Sequence, residues 1–199
     1  MARPREFNEE AVLDAAVHCF WSRGYEATSV RDLIESTGLT GASIYNAFGD
    51  KRAFYRTALA HYVQVSIADR IRRCEGMAPR AAIGAFFAEI LARSLSDEEH
   101  KDCMLVNAAL EVTPLDAAFN GDVADVLARI EAFFLGRVAA GQADGTITRS
   151  LTAADLARHL LGVLMGVRVL ARVRPERAML EGVIGGAFAL LDGGADRAA

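Results

Sequence analysis

Glycines and helix-capping residues divide residues 1–50 at short intervals. An apolar stripe over Glu9–Arg23 predicts a first helix, and Gly24 ends it because glycine adopts C-terminal cap conformations easily. Ser29 and Asp32 have the spacing of a capping box and begin a second helix, which Gly38 ends. Helices this short are marginal alone, so we expect them to pack against one another.

The segment TGASIYNAF, residues 40–48, is the third of these short helices. Thr40 is placed to cap it and Gly49 to end it. Ile44 and Phe48 are one turn apart and are expected to hold one side of the helix against its neighbours. Short helices with a glycine turn between the second and the third predict a helix-turn-helix. The side turned to solvent then carries Gly41, Ala42, Ser43, Tyr45 and Asn46.

This uncharged surface has the chemistry of a helix that enters the major groove of DNA. Such a helix needs small residues near the base edges and hydroxyl or amide groups that bond bases or phosphates. A helix N-terminus also binds phosphate through its free N–H groups, without any charged side chain. The other interpretation, left open by these residues alone, is a helical hairpin whose polar face is only solvated.

Net charge does not point to a nucleic-acid partner. The chain has 22 Lys and Arg against 26 Asp and Glu, a formal net charge of −4. Residues 1–74 hold 10 basic and 9 acidic side chains, and residues 75–199 hold 12 and 17. The first part is therefore close to neutral, and any affinity for DNA must come from local geometry.

Composition excludes several other classes of protein. Cys19, Cys74 and Cys103 are widely spaced without a C-x-x-C pair, which argues against a disulfide framework or a zinc site and fits a reducing cytoplasm. The N-terminus lacks a signal-peptide pattern, and the longest apolar stretch, residues 160–167, is too short to span a membrane. No motif of a hydrolase, metalloprotease or nucleotide-binding enzyme occurs, so we expect no enzyme activity and no cofactor.

The remaining chain predicts longer helices and no strand. Asp50 caps the fourth helix, Pro79 is suited to the first turn of the fifth, and Thr152 caps the penultimate one. Asn120-Gly121 allows a break in the longest of them. The predicted bounds are 50–74, 79–95, 103–112, 116–140, 152–173 and 175–192.

Residues 9–54 resemble the DNA-binding domain of the TetR family of bacterial transcriptional regulators. The likeness covers AVLDAAVHCFWSRGYEATSV, LIESTGLTGASIYNAFGDKRAFY and the spacing of the apolar positions, and Tyr45, Phe48 and Lys51 match the helix-three motif of the family. Ala47 stands where His or Tyr is commoner, so a phosphate contact from that position is missing. The resemblance implies an all-α protein with an N-terminal three-helix helix-turn-helix DNA-binding domain, residues 1–50. A larger C-terminal helical ligand-binding and dimerisation domain, residues 51–199, would follow.

The resemblance also implies contacts with DNA. Thr28, Thr40, Tyr45 and Lys51 are expected to touch phosphates, and the base edges are expected to face Gly41, Ala42, Ser43 and Asn46. Arg3 and Arg5 form a basic arm that could reach phosphates or a minor groove, unless the terminus is simply frayed.

The C-terminal part resembles the same family more loosely. It implies a homodimer through the last two helices, a palindromic operator in double-stranded DNA and release by a small-molecule effector; burial of these helices within one subunit is the alternative. Two other functions stay open: a thiol sensor of electrophiles or oxidants acting through Cys103, and a helical ligand-binding dimer without DNA binding. Candidate cavity residues, each of which also fits ordinary core packing, are Phe86, Phe87, Ile90, Met104, Asn107, Phe119, Phe133, Phe134 and His159.

Overall fold

The computed structural model describes residues 7–96, 103–111 and 116–193, and within these ranges the chain is helical without a strand. The α-helices are α1 (Glu9–Arg23), α2 (Val30–Thr37), α3 (Gly41–Phe48), α4 (Lys51–Tyr62), α5 (Asp69–Cys74), α6 (Pro79–Ser96), α7 (Met104–Glu111), α8 (Ala117–Asp144), α9 (Ala153–Val173) and α10 (Arg177–Leu191). A π-helical segment, Val63–Ala68, joins α4 to α5. The predicted all-α class is confirmed.

The predicted helix caps occur where the sequence places them. Ser29 and Asp32 exchange both hydrogen bonds of a capping box at the start of α2, and Gly38 follows the helix with φ of 70°. Thr40 caps α3 by accepting a hydrogen bond from the backbone N–H of Ser43. The bounds of the first helices therefore follow from local chemistry.

Several bounds differ from the predictions. The predicted helix 50–74 is divided into α4, the π-helical segment and α5, and α8 ends at Asp144 rather than at residue 140. The helix α8 runs unbroken through Asn120 and Gly121; a single exposed glycine costs a helix only about 1 kcal/mol, and buried Phe119 and Val123 hold the helix on either side of it. The helix α10 begins at Arg177 with Glu176 as its N-cap rather than at Pro175.

The described residues form two compact units. The first is drawn from residues up to 68 and from 103–123, and the second from 69–102 and 124 onward. Each unit thus combines segments that are distant in sequence. These units are defined by packing, whereas the predicted domains, residues 1–50 and 51–199, are defined by function. The predicted domain boundary stays a prediction.

Each unit has an aromatic core. In the first unit Phe20 packs edge-on against Phe54, with ring centroids 6.2 Å apart. In the second unit Phe134 stacks with Phe87 at 5.7 Å and meets Phe86 edge-on at 5.2 Å. Among the described helices none is long and apolar enough to cross a membrane.

Candidate nucleic-acid interface

Two buried side chains fix the orientation of α3. Ile44 is 2% exposed and Phe48 is 7% exposed. The Phe48 ring stacks on Phe54 of α4 with a centroid separation of 4.2 Å and an interplanar angle of 11°. Ile34 of α2 lies so close that a Cβ added at Gly41 would be 3.4 Å from its Cδ1 atom. These contacts hold the inner side of α3 as the sequence predicts.

The opposite side of α3 brings most of the predicted contact residues onto one accessible surface. Tyr45 is 54% exposed, an unusual degree for an aromatic side chain, and Thr40, Ala42 and Asn46 are also exposed. Ser43 is half-buried, and its hydroxyl lies 2.9 Å from that of Thr40. We call this surface, formed by residues 40–43, 45 and 46, the recognition face.

Lys51 begins α4 and is fixed beside the loop between α1 and α2. Its Nζ atom donates to the carbonyl of Glu26 at 3.4 Å and lies 4.3 Å from the centre of the Tyr25 ring. A cation in the first turn opposes the helix dipole. An anion beside this turn, such as a phosphate, would offset that repulsion.

Thr28, another predicted phosphate contact, is completely buried. Its hydroxyl donates to the carbonyl of Gly24 at 2.6 Å and so closes the loop that precedes α2. The phosphate contacts of Thr28 and of the other predicted residues stay predictions, and Arg3 and Arg5 lie outside the described residues.

Sequence reasoning missed a set of carboxylates that bind the first helices from α7 and α8. Both oxygens of Glu111 accept the Tyr25 backbone N–H, each at 3.1 Å. Asp116 pairs with Arg52, and Asp122 accepts from Arg56 at 3.0 Å. No periodic pattern could have revealed these pairs, since the partners lie more than 60 positions apart in the chain.

A small cleft of about 90 Å³ lies among these groups. Burial raises the pKa of Tyr55, and the Glu111 carboxylate raises it further; burial also raises the pKa of Tyr25. Both phenols therefore remain protonated and able to donate hydrogen bonds. The lining residues are Tyr25, Glu26, Arg52, Tyr55, Glu111, Asp116 and Phe119.

The predicted cavity residues fall in both compact units. The second unit contains Phe86, Phe87, Phe133 and Phe134, which pack on one another, together with buried Ile90. The first contains Met104, Asn107 and Phe119, all of which are buried. Phe119 also lines the small cleft of the first unit. His159 is exposed on α9 of the single chain. Their roles in ligand binding stay predictions.

Cys103 is a buried free thiol directly before α7. The Tyr62 hydroxyl donates to the Sγ atom of Cys103 at 3.4 Å. The backbone carbonyl of Cys103 accepts from the backbone N–H groups of Val106 and Asn107. It therefore occupies the N-terminal cap position of the helix. Cys19 and Cys74 are buried as well.

A helix-turn-helix with an anchored inner side and an accessible, uncharged recognition face defines a DNA-binding regulator. Residues 12–58 match the family described as "Bacterial regulatory proteins, tetR family", and residues 79–185 match "Tetracyclin repressor-like, C-terminal domain". The chain belongs to the TetR family of transcriptional regulators, as its sequence predicts.

Several relatives are similar over most of their length. The HTH-type transcriptional repressor ComR of Escherichia coli K12 is 31% identical over 185 residues, which cover 90% of this chain and 85% of ComR. A cysteine mutant of the TetR family regulator CifR, in complex with a 26-bp double-strand operator DNA, is 33% identical with a TM-score of 0.82. That alignment covers 93% of this chain and 97% of CifR. Family and relatives are transcriptional regulators, which confirms the prediction that the protein is not an enzyme.

Proposed function

We propose that the protein is a dimeric repressor that binds a palindromic operator through α3 and leaves it when a small molecule binds the C-terminal domain. The observation that carries this proposal is the recognition face, because its exposed polar groups surround Tyr45 on a helix fixed from behind by Ile44 and Phe48. The name of ComR as a repressor and the operator complex of CifR support the same function for this chain. A partner in chromosomal DNA implies a cytoplasmic protein.

The surfaces of α9 and α10 support the proposed dimer. Val169 is 43% exposed and Val173 75% exposed on α9, and Leu190 is 40% exposed on α10. Cβ atoms added at Gly182, Gly185 and Gly186 would meet nothing within 4 Å, so this side of α10 is open in the single chain. Pairing with the same helices of a second copy would cover these apolar groups. Two recognition faces would then read the two halves of a palindrome.

An effector would release the operator by shifting the dimer toward a form that does not bind DNA. A ligand that binds more tightly to a form of the dimer unable to match both half-sites lowers operator affinity by the ratio of its two affinities. Typical coupling free energies of about 1–3 kcal/mol change affinity about 5- to 150-fold.

The direct test is a mobility-shift titration of the purified protein on the DNA upstream of its own gene and on a shuffled control. We expect a dimer by light scattering, a footprint centred on a palindrome, and an affinity that falls linearly with the logarithm of salt concentration. A ligand-binding dimer without DNA binding would give the dimer mass but no preference for any genomic fragment.

Two neighbouring substitutions separate positioning contacts from base contacts. Tyr45→Ala is expected to weaken binding to all operator variants alike, because a phosphate contact carries no sequence information. Asn46→Ala is expected to lose about 1–3 kcal/mol of discrimination at particular base pairs. Affinities measured on an operator library with every position varied distinguish the two effects. A uniform loss for Asn46→Ala would refute its proposed role.

A thiol-based regulator is a second candidate, favoured by the position of Cys103. Its sulfur lies at the N-terminus of α7 and accepts a hydrogen bond from the Tyr62 hydroxyl. If Cys103 is the sensor, N-ethylmaleimide would release the operator: the sulfur forms a bond to one alkene carbon, and the thiol proton ends on the other.

The matched variants for this candidate are Cys103→Ser and Cys19→Ser. We expect Cys103→Ser to bind the operator normally and to resist release by N-ethylmaleimide, whereas Cys19→Ser stays sensitive. Equal sensitivity of both variants, by mobility shift after alkylation, would eliminate Cys103 as the sensor.

A further inference from the structure

Two arginines of the second compact unit are buried with unsatisfied hydrogen-bond donors. Arg70 of α5 is 2% exposed, and Arg168 of α9 is 8% exposed. Within the part of the chain that the structure describes, Nη2 of Arg70 and Nε of Arg168 are buried without a hydrogen-bond acceptor, and Nε of Arg70 faces Oε1 of Glu89 at 3.2 Å in poor hydrogen-bond alignment. A guanidinium stays charged at any physiological pH, so its burial is strongly unfavourable unless an anion accompanies it.

The carboxylate nearest to Arg70 is shared among several cations. Glu89 of α6 lies 3.2 Å from Nε of Arg70, but it also pairs with Arg73 at 2.7 Å and with Arg93 at 3.1 Å. Burial lowers the pKa of Arg70; Glu89 raises it again, and the positive charges of Arg168 and Arg93 lower it. Arg70 therefore has one carboxylate that it shares with two other arginines, and the positive charge of Arg168 acts on it as well.

Arg168 has a neutral partner instead of a carboxylate. Its Nη1 atom donates to the Ser94 hydroxyl of α6 at 3.2 Å, and none of the ion pairs among the described residues includes Arg168. Buried arginines without an acidic partner are uncommon in a core that has only structural duties. Among the described residues, therefore, no carboxylate offsets the charge of Arg168, and the anion of a ligand could supply one.

The surroundings of the two arginines indicate what kind of anion would fit. The guanidinium of Arg70 lies 5.4 Å from the centre of the Phe86 ring, and Phe86 itself packs against Phe133 at 5.4 Å. Phe86, Glu89 and Ser94 share a face of α6, the helix that packs against both α5 and α9. Guanidinium forks match planar carboxylates, and aromatic rings favour an apolar body.

We propose that Arg70 and Arg168 bind the carboxylate of an organic acid whose apolar body packs against Phe86, and that this acid is the effector class of the protein. The assignment as effector rests on the proposed function, whereas the anion site itself does not. Binding would satisfy the orphaned N–H groups and neutralise one of the two buried charges.

The test measures binding of named acids to the full-length protein. Benzoate, phenylacetate and octanoate are compared with their neutral amides by thermal shift and calorimetry, at constant ionic strength in sodium chloride. We expect the acids to raise Tm and the amides to have no comparable effect. Arg70→Met and Arg168→Met should each weaken acid binding about 10- to 150-fold, the range for a lost hydrogen bond to a charged group. Arg158→Met, which removes an exposed arginine of the same helix α9, is the matched control and should bind normally.

The stability of the unliganded variants provides a second readout. Arg168→Met removes an uncompensated buried charge and keeps the side-chain volume, so its Tm without ligand should equal or exceed that of the wild type. Arg168→Lys should keep the fold and bind the acids weakly, because a lysine lacks the planar fork. A lower Tm or dissociation of the dimer in Arg168→Met would show a structural role for Arg168 and overturn the proposal.

The two proposals can fail separately. If the wild type binds its operator but the acids stabilise it no more than chloride or their amides do, the anion site is wrong and the regulator remains. If the acids bind through Arg70 and Arg168 but no operator binding is found, the proposed function is wrong and the anion site remains. Release of the operator by an acid in the wild type, and not in Arg168→Met, supports both.

Discussion

Replacing Phe54 by alanine is expected to lower the free energy of unfolding of the first compact unit by about 3–5 kcal/mol. Phe54 is completely buried, stacks on Phe48 and packs edge-on against Phe20. Its removal leaves a cavity between α1, α3 and α4, and it removes the support behind the recognition face. The loss should therefore appear both in stability and in operator affinity.

Trp21 makes the effect measurable in one unit. It is the single tryptophan of the chain and lies on α1, 5.8 Å from Tyr62, so its fluorescence reports urea unfolding of the first unit. Phe134→Ala, which truncates an equally buried ring of the second unit, is the matched control. It should shift the circular-dichroism transition and leave the operator affinity of folded protein nearly unchanged. A loss below about 1 kcal/mol for Phe54→Ala would contradict the packing described above.

Replacing Gly24 by alanine is expected to cost about 2–4 kcal/mol, from backbone strain together with a displaced hydrogen bond. Gly24 has φ of 80° and ψ of 168°, a combination that is nearly confined to glycine. A Cβ there would lie 2.6 Å from Oε1 of Glu111. The carboxylate would have to move, and the Tyr25 N–H would lose its acceptor.

A double-mutant cycle separates the cost of the displaced Glu111 hydrogen bond from the cost of backbone strain. In a Glu111→Ala background the same Gly24→Ala change should cost about 1 kcal/mol less, because the carboxylate that it displaces is already gone. Gly38→Ala is the control for backbone strain alone: φ is 70° and nothing lies within 4 Å of its added Cβ, so we expect about 1–2 kcal/mol. Strict additivity in the cycle would mean that Glu111 does not restrict this turn.

The helix-turn-helix could be predicted because its signals are local. The capping box of Ser29 and Asp32, the cap at Thr40 and the left-handed Gly38 each act within a few residues. The burial of Ile44 and Phe48 likewise follows from helical spacing once a neighbour exists. Family resemblance added the DNA partner, which net charge alone argued against.

The burial of single side chains could not be predicted in the same way. Thr28 was expected at a phosphate and proved to be fully buried, with its hydroxyl bonded to the Gly24 carbonyl; its role at DNA is thus open to test. His159, a predicted cavity residue, lies exposed on α9 of the single chain, and its role in ligand binding stays a prediction. Burial depends on which segments fold against a helix, and its own periodicity does not specify them.

The sequence by itself determined the helices, their caps and the side of α3 that faces its neighbours, since these depend on groups within about two helical turns. Only the tertiary structure decided which distant charged and polar groups meet. Glu111 reaches Tyr25 across 86 positions, and Arg168 reaches Ser94 across 74. Such pairs leave no periodic trace because each partner is an ordinary polar residue on its own helix. The first pair holds the turn after α1, and the second belongs to the proposed anion site. Neither arrangement exists before the chain folds.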